Sequence, residues 1–111
     1  MNIGFLGCGN IAQAMIVGLL DSGLNPTSIT VLTRNKKKKK FYEKNSIKSL
    51  AVSKANSAKF DFIFLCVKPK DVKNAIEDSR IYWENTTLVS VVAGISSQKL
   101  KIFANSEKVI S

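Results

Sequence analysis

The chain of 111 residues contains no histidine and only two cysteines, Cys8 and Cys66. It therefore lacks the side chain that most often acts as a general acid or base near neutral pH and as a zinc ligand. Two cysteines this far apart form neither a disulfide framework nor a metal-ligand spacing. We expect no metal site, and we interpret both cysteines as reduced, buried thiols that fill apolar space. A redox role is the alternative.

Long hydrophobic runs are also missing, because polar residues interrupt every apolar run well before the roughly 18 residues that a membrane-spanning helix needs. The first residues already have the pattern of a strand, which predicts that no signal peptide is present. We therefore expect a soluble, cytoplasmic protein. The length predicts one domain, and a hydrophobic content of 45% suffices for a core. A complete dehydrogenase normally adds a substrate domain, for which this length leaves no room.

Acidic residues are scarce, since 8 Asp and Glu stand against 17 Lys and Arg and the formal net charge is +9. This balance favours an anionic ligand or partner. Part of the positive charge forms an unbroken run from Lys36 to Lys40. We interpret the run as solvated surface, with attraction of a phosphate or binding of nucleic acid as alternatives. No RNA-reading motif or helix-turn-helix signature accompanies it, so we expect no nucleic-acid partner.

One stretch points to a specific chemistry, because a short predicted strand at 2–6 leads directly into Gly7-Cys8-Gly9-Asn10-Ile11-Ala12. A Gly-x-Gly-x-x-Ala pattern between a strand and a helix is typical of dinucleotide binding. Gly7 permits a tight turn, Gly9 lets phosphate oxygens approach the backbone, and Ala12 lets the helix pack closely on the strand. The diphosphate would lie at the N-terminus of that helix. A purely structural turn is the alternative interpretation.

The rest of the chain alternates predicted strands with predicted helices. After the strand at 2–6, further strands are predicted at 29–33, 47–52, 61–67, 87–93 and 108–111. Helices are predicted from residue 10 to a stop at Gly23, over 36–43, after Pro69, and over 97–103. The predicted apolar face of the first helix consists of Ile11, Ala14, Met15, Gly18 and Leu19, and that of the third consists of Val72, Ala75 and Ile76.

This alternation predicts an α/β fold, a Rossmann-type doubly wound parallel sheet in a single domain. Ligands of such sheets bind beyond the carboxyl ends of the strands, at the switch point. The sequence therefore predicts a site formed by the loops at 7–12, 33–37, 66–69 and 91–95.

No acidic residue follows the second predicted strand. Sites selective for NAD usually place Asp or Glu there to accept hydrogen bonds from the ribose hydroxyls. This chain instead has Thr33-Arg34-Asn35-Lys36. An arginine beside hydroxyl and amide donors suits a 2'-phosphate, which a carboxylate would repel. The sequence thus predicts NADP(H) as cofactor, with NAD(H) as the alternative if Arg34 is only an exposed cation.

Three blocks of the chain carry a further resemblance: Gly4 to Asn10, Phe64 to Pro69, and Val89 to Ser96. Their order and spacing are similar to those of the N-terminal half of the pyrroline-5-carboxylate reductase family, over nearly the whole chain. The resemblance implies NADP-dependent reduction of 1-pyrroline-5-carboxylate to proline, by hydride transfer to the carbon of a cyclic imine. The cofactor-binding residues that it implies are Leu6, Gly7, Cys8, Gly9, Asn10, Ile11, Ala12, Arg34, Cys66, Val67, Lys68, Pro69, Val91, Val92 and Ala93.

The same resemblance implies no catalytic residue in this half, because a protonated imine needs little acid catalysis. A proton-transfer role for Lys68 is the minor alternative. The family continues into a helical domain that dimerises and completes the imino-acid site. We expect that domain to be absent from these 111 residues, so that the chain alone is inactive and only the full-length protein forms a homo-oligomer.

Two other functions stay open at this stage. The chain could be a stand-alone or degenerate NAD(P)-binding module without catalysis. It could also be the nucleotide domain of a related reductase that acts on hydroxy acids or on deazaflavin cofactors, although the block Val67-Lys68-Pro69 favours the imine reductase.

Overall fold

The computed structural model describes residues 1–34 and 36–111. Its described strands are β1 (Ile3–Leu6), β2 (Ile29–Leu32), β3 (Lys48–Leu50), β4 (Phe62–Leu65), β5 (Thr87–Ser90) and β6 (Val109–Ile110). They form one sheet in the order β3-β2-β1-β4-β5-β6, and all pairings are parallel. The predicted fold class is therefore confirmed.

The connecting helices are α1 (Asn10–Asp21), α2 (Lys36–Lys44), α3 (Val72–Ser79) and α4 (Ser97–Ala104). Short 3-10 turns occur at Pro26–Ser28, Val52–Ser57, Pro69–Asp71 and Trp83–Asn85. The predicted helix stop is confirmed, since Gly23 has a φ of +100° and lies just beyond the end of α1. A left-handed backbone of this kind ends a helix most cheaply at glycine.

Two hydrophobic cores lie on opposite faces of the sheet, because successive side chains of a strand point in opposite directions. On β1, Phe5 belongs to the core that α1 and α2 cover, whereas Leu6 belongs to the core that α3 and α4 cover. All four residues of β1 are buried, as are all four of β2. In β4, Ile63 and Leu65 are buried while the phenylalanines on the other face are only half-buried.

The predicted apolar face of α1 is partly wrong. Its buried residues are Ala12 and Ile16, with Met15 and Leu19 half-buried, whereas Ile11 is 58% exposed and Ala14 and Gly18 are exposed as well. Nearly every residue of this helix is apolar or small, so periodicity alone could not fix which side faces the sheet. The glycine turn sets the rotation of the helix, and it brings the small side chain of Ala12 against the strands. The predicted face of α3 is confirmed, because Val72, Ala75 and Ile76 are buried.

The later strands are shorter than predicted. β3 ends at Leu50 because the chain enters a 3-10 turn at Val52, and β5 ends at Ser90. Beyond Ser90, the N–H of Val91 still donates to the carbonyl of Leu65 at 3.4 Å. The backbone then turns at Gly94, whose φ of +81° suits glycine. These ends place the loops after β1, β2, β4 and β5 along one edge of the sheet.

Candidate functional site

Position 7 requires a glycine, because of its backbone conformation and because of the atoms packed around it. Its φ is +102°, and a Cβ at this position would lie 2.7 Å from the carbonyl oxygen of Cys66 and 2.9 Å from Cγ1 of Val67. Hydrogen bonds continue the sheet through this point, since Gly7 N–H donates to Leu32 at 3.1 Å and Cys66 N–H donates to Leu6 at 2.9 Å. The turn after β1 is therefore packed directly on the loop after β4.

Gly9 has quite different surroundings. Its φ of −73° is ordinary for any residue, and a Cβ on it would meet nothing within 4 Å. No contact of the described chain therefore explains the glycine. Its missing side chain leaves open the surface in front of α1, as binding of a bulky anion against the backbone would require.

The N-terminus of α1 presents free donors on this open surface. The first helical hydrogen bond runs from Gln13 N–H to the Gly9 carbonyl at 3.1 Å, and no described side chain caps the helix. The N–H groups of Gly9, Asn10 and Ile11 donate to no acceptor among the described residues. The first turn carries no acidic side chain. Free N–H groups at the positive end of a helix dipole attract anions such as phosphate.

A cleft of about 340 Å³ opens beside this turn, at the carboxyl ends of β1 and β2. Five parts of the chain meet there: the glycine turn, the end of β2, the 3-10 turn after β3, the loop after β4 and the start of α3. Its lining consists of Leu6, Gly7, Cys8, Leu32, Thr33, Arg34, Val52, Val67, Asp71, Asn74 and Ala75. The sequence predicted the contributions of the turn, of Arg34 and of Val67. It missed those of Leu32, Val52, Asp71, Asn74 and Ala75. For the last three, the only signal was that α3 follows a strand next to the switch point.

Arg34 is exposed, and its guanidinium forms an ion pair with Asp78 of α3. The pair joins the end of β2 to the helix on the far side of the cleft. Both side chains are accessible to water, with 71% of Arg34 and 48% of Asp78 exposed. Such a pair contributes little to stability, so an anion of higher charge can displace the carboxylate. Asn35 lies outside the described residues.

The side chains of the lysine run lie in different environments. Lys37, Lys39 and Lys40 are exposed, in keeping with solvated surface. Lys38 is half-buried and donates to the carbonyl oxygen of Cys8 at 3.0 Å. The Tyr42 hydroxyl lies 3.5 Å from the same oxygen. Helix α2 thus contacts the glycine turn directly, which the sequence did not predict.

Cys8 lies within the glycine turn and Cys66 lies beside it after β4, and both are half-buried free thiols. The thiol of Cys8 lies 3.0 Å from the hydroxyl of Thr33, which ties the turn to the end of β2. Burial raises the pKa of Cys66 to about 11. Cys66 is therefore a neutral thiol near pH 7, which agrees with the interpretation of an unreactive filler.

The remaining predicted site residues lie at the same edge of the sheet but outside the cleft. Lys68, Pro69, Val91 and Ala93 are exposed, and Val92 is half-buried. Ala12 is fully buried under the helix start, so its contribution is to packing. Among residues 1–34 and 36–111, His, Cys, Asp and Glu nowhere form a cluster of three that could hold a metal ion. No described helix is both long and apolar enough to cross a membrane.

Comparison with known proteins gives a consistent set of relatives. The family model described as NADP oxidoreductase, coenzyme F420-dependent, matches residues 2–94. The pyrroline-5-carboxylate reductase of Haemophilus influenzae is 31% identical over 109 residues, which are 97% of this chain and 40% of that protein. Pyrroline-5-carboxylate reductase 2 of Bacillus subtilis is 30% identical over 102 residues, which are 89% of this chain and 37% of that protein.

A solved structure agrees. The pyrroline-5-carboxylate reductase of Coxiella burnetii superposes with a TM-score of 0.82 at 27% identity, over 93% of this chain and 39% of that one. The resemblance predicted from the three sequence blocks is therefore confirmed. The chain spans about 40% of the length of the curated relatives that it matches.

Proposed function

The chain belongs to the family described as NADP oxidoreductase, coenzyme F420-dependent, and on that premise we propose that it is the NADP-binding domain of a reductase that converts 1-pyrroline-5-carboxylate to proline. The observation that carries the proposal is the glycine turn. Gly7 is explained by strain and packing, whereas the open surface beside Gly9 adjoins free N–H groups at the start of a helix, a combination that suits a bound anion. Free N–H groups at the positive end of a helix dipole fit a diphosphate.

The proposed cofactor site has three parts. At the start of α1, the N–H groups of residues 9–11 hold the diphosphate. At the end of β2, Arg34 leaves Asp78 and pairs with the 2'-phosphate, because a phosphate dianion attracts a guanidinium more strongly than an exposed carboxylate does. The segments 66–69 and 91–93 lie at the nicotinamide side. We therefore propose NADP(H) as the preferred cofactor, with NAD(H) as the weaker one.

The proposed reaction needs little acid–base catalysis from this chain. The bound cofactor supplies a hydride to the imine carbon, and the protein orients the two reactants. Lys68 is exposed and lies outside the cleft, which supports a role at the strand end rather than in proton transfer. The imino-acid site and the homo-oligomer belong, in this proposal, to the larger protein represented by the relatives.

A second candidate is a reductase with a different substrate, because the family description names coenzyme F420, a deazaflavin. The block Val67-Lys68-Pro69 and the curated pyrroline-5-carboxylate reductases favour the imine. A module that binds NAD(P) without catalysis is the third candidate, and it differs from the first only in whether turnover follows binding.

Calorimetric titration of the chain with NADPH and with NADH tests the cofactor proposal. We expect NADPH to bind more tightly. Arg34→Ala should weaken the binding of NADPH by about ten- to hundredfold, the usual effect of losing one hydrogen-bonded charge pair to phosphate. The affinity for NADH should stay nearly unchanged. Lys59→Ala is the control, since it removes an exposed positive charge just before β4, at the edge of the sheet opposite the cleft. Equal affinities for the two cofactors, or a preference for NADH, would contradict the assignment of Arg34.

A further inference from the structure

We infer that Lys38 is a positioning residue for the diphosphate, and that its ammonium fixes the Cys8–Gly9 peptide so that the Gly9 N–H is presented to the ligand. The inference rests on the proposed function and extends it to a lysine of the run on α2. It gives one member of that run a role that its exposed neighbours do not share.

Two donors from one helix converge on a single carbonyl oxygen of the turn. Lys38 donates to the Cys8 carbonyl at 3.0 Å, and the hydroxyl of Tyr42, one helical turn later, lies 3.5 Å from the same atom. Tyr42 is only 1% exposed and belongs to the core beneath α1 and α2. Its burial fixes the position of α2, so the ammonium of Lys38 approaches the turn from a constant direction.

The direction of this carbonyl sets the direction of the next N–H group. A trans peptide is planar, and its C=O and N–H point opposite ways. No described peptide bond is cis. The Cys8 carbonyl faces α2, so the Gly9 N–H faces away from α2, where no described residue accepts it. The ligand side of the turn is therefore organised by a contact on its opposite side.

Such a contact is needed because one end of this peptide is a glycine. Rotation of the Cys8–Gly9 peptide changes ψ of Cys8 and φ of Gly9, and glycine accepts a wider range of φ than any other residue, so the backbone of Gly9 does little to oppose the rotation. A rotated peptide would present a carbonyl oxygen to the ligand, and that oxygen would repel phosphate. A charged donor on the carbonyl opposes this rotation. It also polarises the peptide and makes its N–H a stronger donor.

The effect should be common to both cofactors, because NADPH and NADH share the diphosphate. Lys38→Met keeps most of the aliphatic stem and removes the charged donor, and Lys38→Arg restores a charged donor of similar reach. Lys40→Met is the matched control, since it removes one charge from an exposed position on the same helix. Affinities for NADPH and NADH are measured by calorimetry at one ionic strength, and the Gly9 amide is followed by ¹H–¹⁵N spectroscopy with and without NADPH.

We expect Lys38→Met to weaken the binding of both cofactors by about tenfold, the typical effect of one charge-assisted hydrogen bond. The ratio of the two affinities should stay unchanged. The Gly9 amide signal should move in the free protein, and its shift on adding NADPH should shrink. Lys38→Arg should recover most of the affinity, and Lys40→Met should change either affinity by less than about twofold.

Three results would overturn the inference. One is a Lys38→Met variant that matches Lys40→Met in both affinities. Another is an equal loss in both variants, because that would be a general effect of charge. The third is a loss of affinity without any change at the Gly9 amide. Thermal unfolding checks that the variants are folded, and Lys38→Gln replaces Lys38→Met under the same criteria if the latter is not. A wild-type chain that binds neither cofactor would instead contradict the proposed function.

Discussion

Gly7 and Gly9 lie two positions apart, yet a side chain would meet different surroundings at each. At Gly7 it would collide with the backbone of Cys66 and would force a residue into a φ of +102°. At Gly9 it would enter open space from an ordinary backbone conformation. Substitution at Gly7 should therefore damage folding, whereas substitution at Gly9 should affect only what binds.

Gly9→Val is expected to abolish binding of NADPH while the domain stays folded, because the new side chain occupies the surface that phosphate oxygens would approach. Gly18→Val is the matched control. Gly18 lies on the exposed side of α1, and a Cβ there also meets nothing within 4 Å. Circular dichroism reports the fold and calorimetry reports the affinity. Binding by Gly9→Val as tight as that of the control would show that the turn is not the phosphate site.

Ser49, in β3, has a polar side chain that is buried in the protein. Its hydroxyl oxygen is buried and makes no hydrogen bond among the described residues. Ser49→Ala should therefore raise the free energy of unfolding by about 1 kcal/mol, because it removes an unsatisfied polar atom. Denaturant unfolding measures the change. Ser53→Ala, at an exposed position, serves as the control and should leave stability within about 0.5 kcal/mol of wild type. A destabilised Ser49→Ala chain would contradict the idea.

Among the elements, what the sequence could predict depended on local signals. Gly23 and Pro69 mark where a helix ends and where another begins, and both marks agree with the structure. The buried face of α1 was missed because its apolar residues surround the helix. Contacts between distant residues carried no local signal. Lys38 meets Cys8 across 30 positions and Arg34 meets Asp78 across 44, and only the packing of α2 and α3 around the sheet brings these pairs together.

Asp78 of helix α3 pairs with Arg34. In our proposal this carboxylate competes with the 2'-phosphate of NADPH, which gives a prediction about the helix. Asp78→Asn should tighten NADPH binding by about two- to fivefold and leave NADH unchanged, because Arg34 no longer has to leave an ion pair. Glu77→Gln removes the same charge from an adjacent exposed position of α3 and is the control for a general field effect. Calorimetry with both cofactors decides. Equal gains in the two variants would mean that the contact between Arg34 and Asp78 has no specific effect.

At the scale of the whole molecule, the strand order places the site. β1 lies at the centre of the sheet with β2 on one side and β4 on the other, so the chain leaves β1 at the point where the order reverses. The loops after these three strands meet at that point, and the cleft lies between them. This arrangement could be predicted from the alternation of strands and helices, since right-handed crossovers leave few other orders. The contribution of α3 to the lining of the cleft could not be predicted, because it depends on how this helix packs against the sheet.

The same scale governs the prediction about catalysis. Hydride transfer requires the imine to be held at a near-attack distance from the cofactor, and that positioning accounts for much of the rate. The residues of the proposed site all bind the cofactor in our proposal, and the chain spans about 40% of the length of its curated relatives. We therefore expect the 111-residue chain, saturated with NADPH, to oxidise it negligibly in the presence of 1-pyrroline-5-carboxylate. A fusion to the remaining part of the Haemophilus influenzae enzyme should turn over, and the same fusion carrying Gly9→Val should not. Loss of NADPH absorbance measures all three, and rapid turnover by the 111 residues alone would show that they already hold the imine.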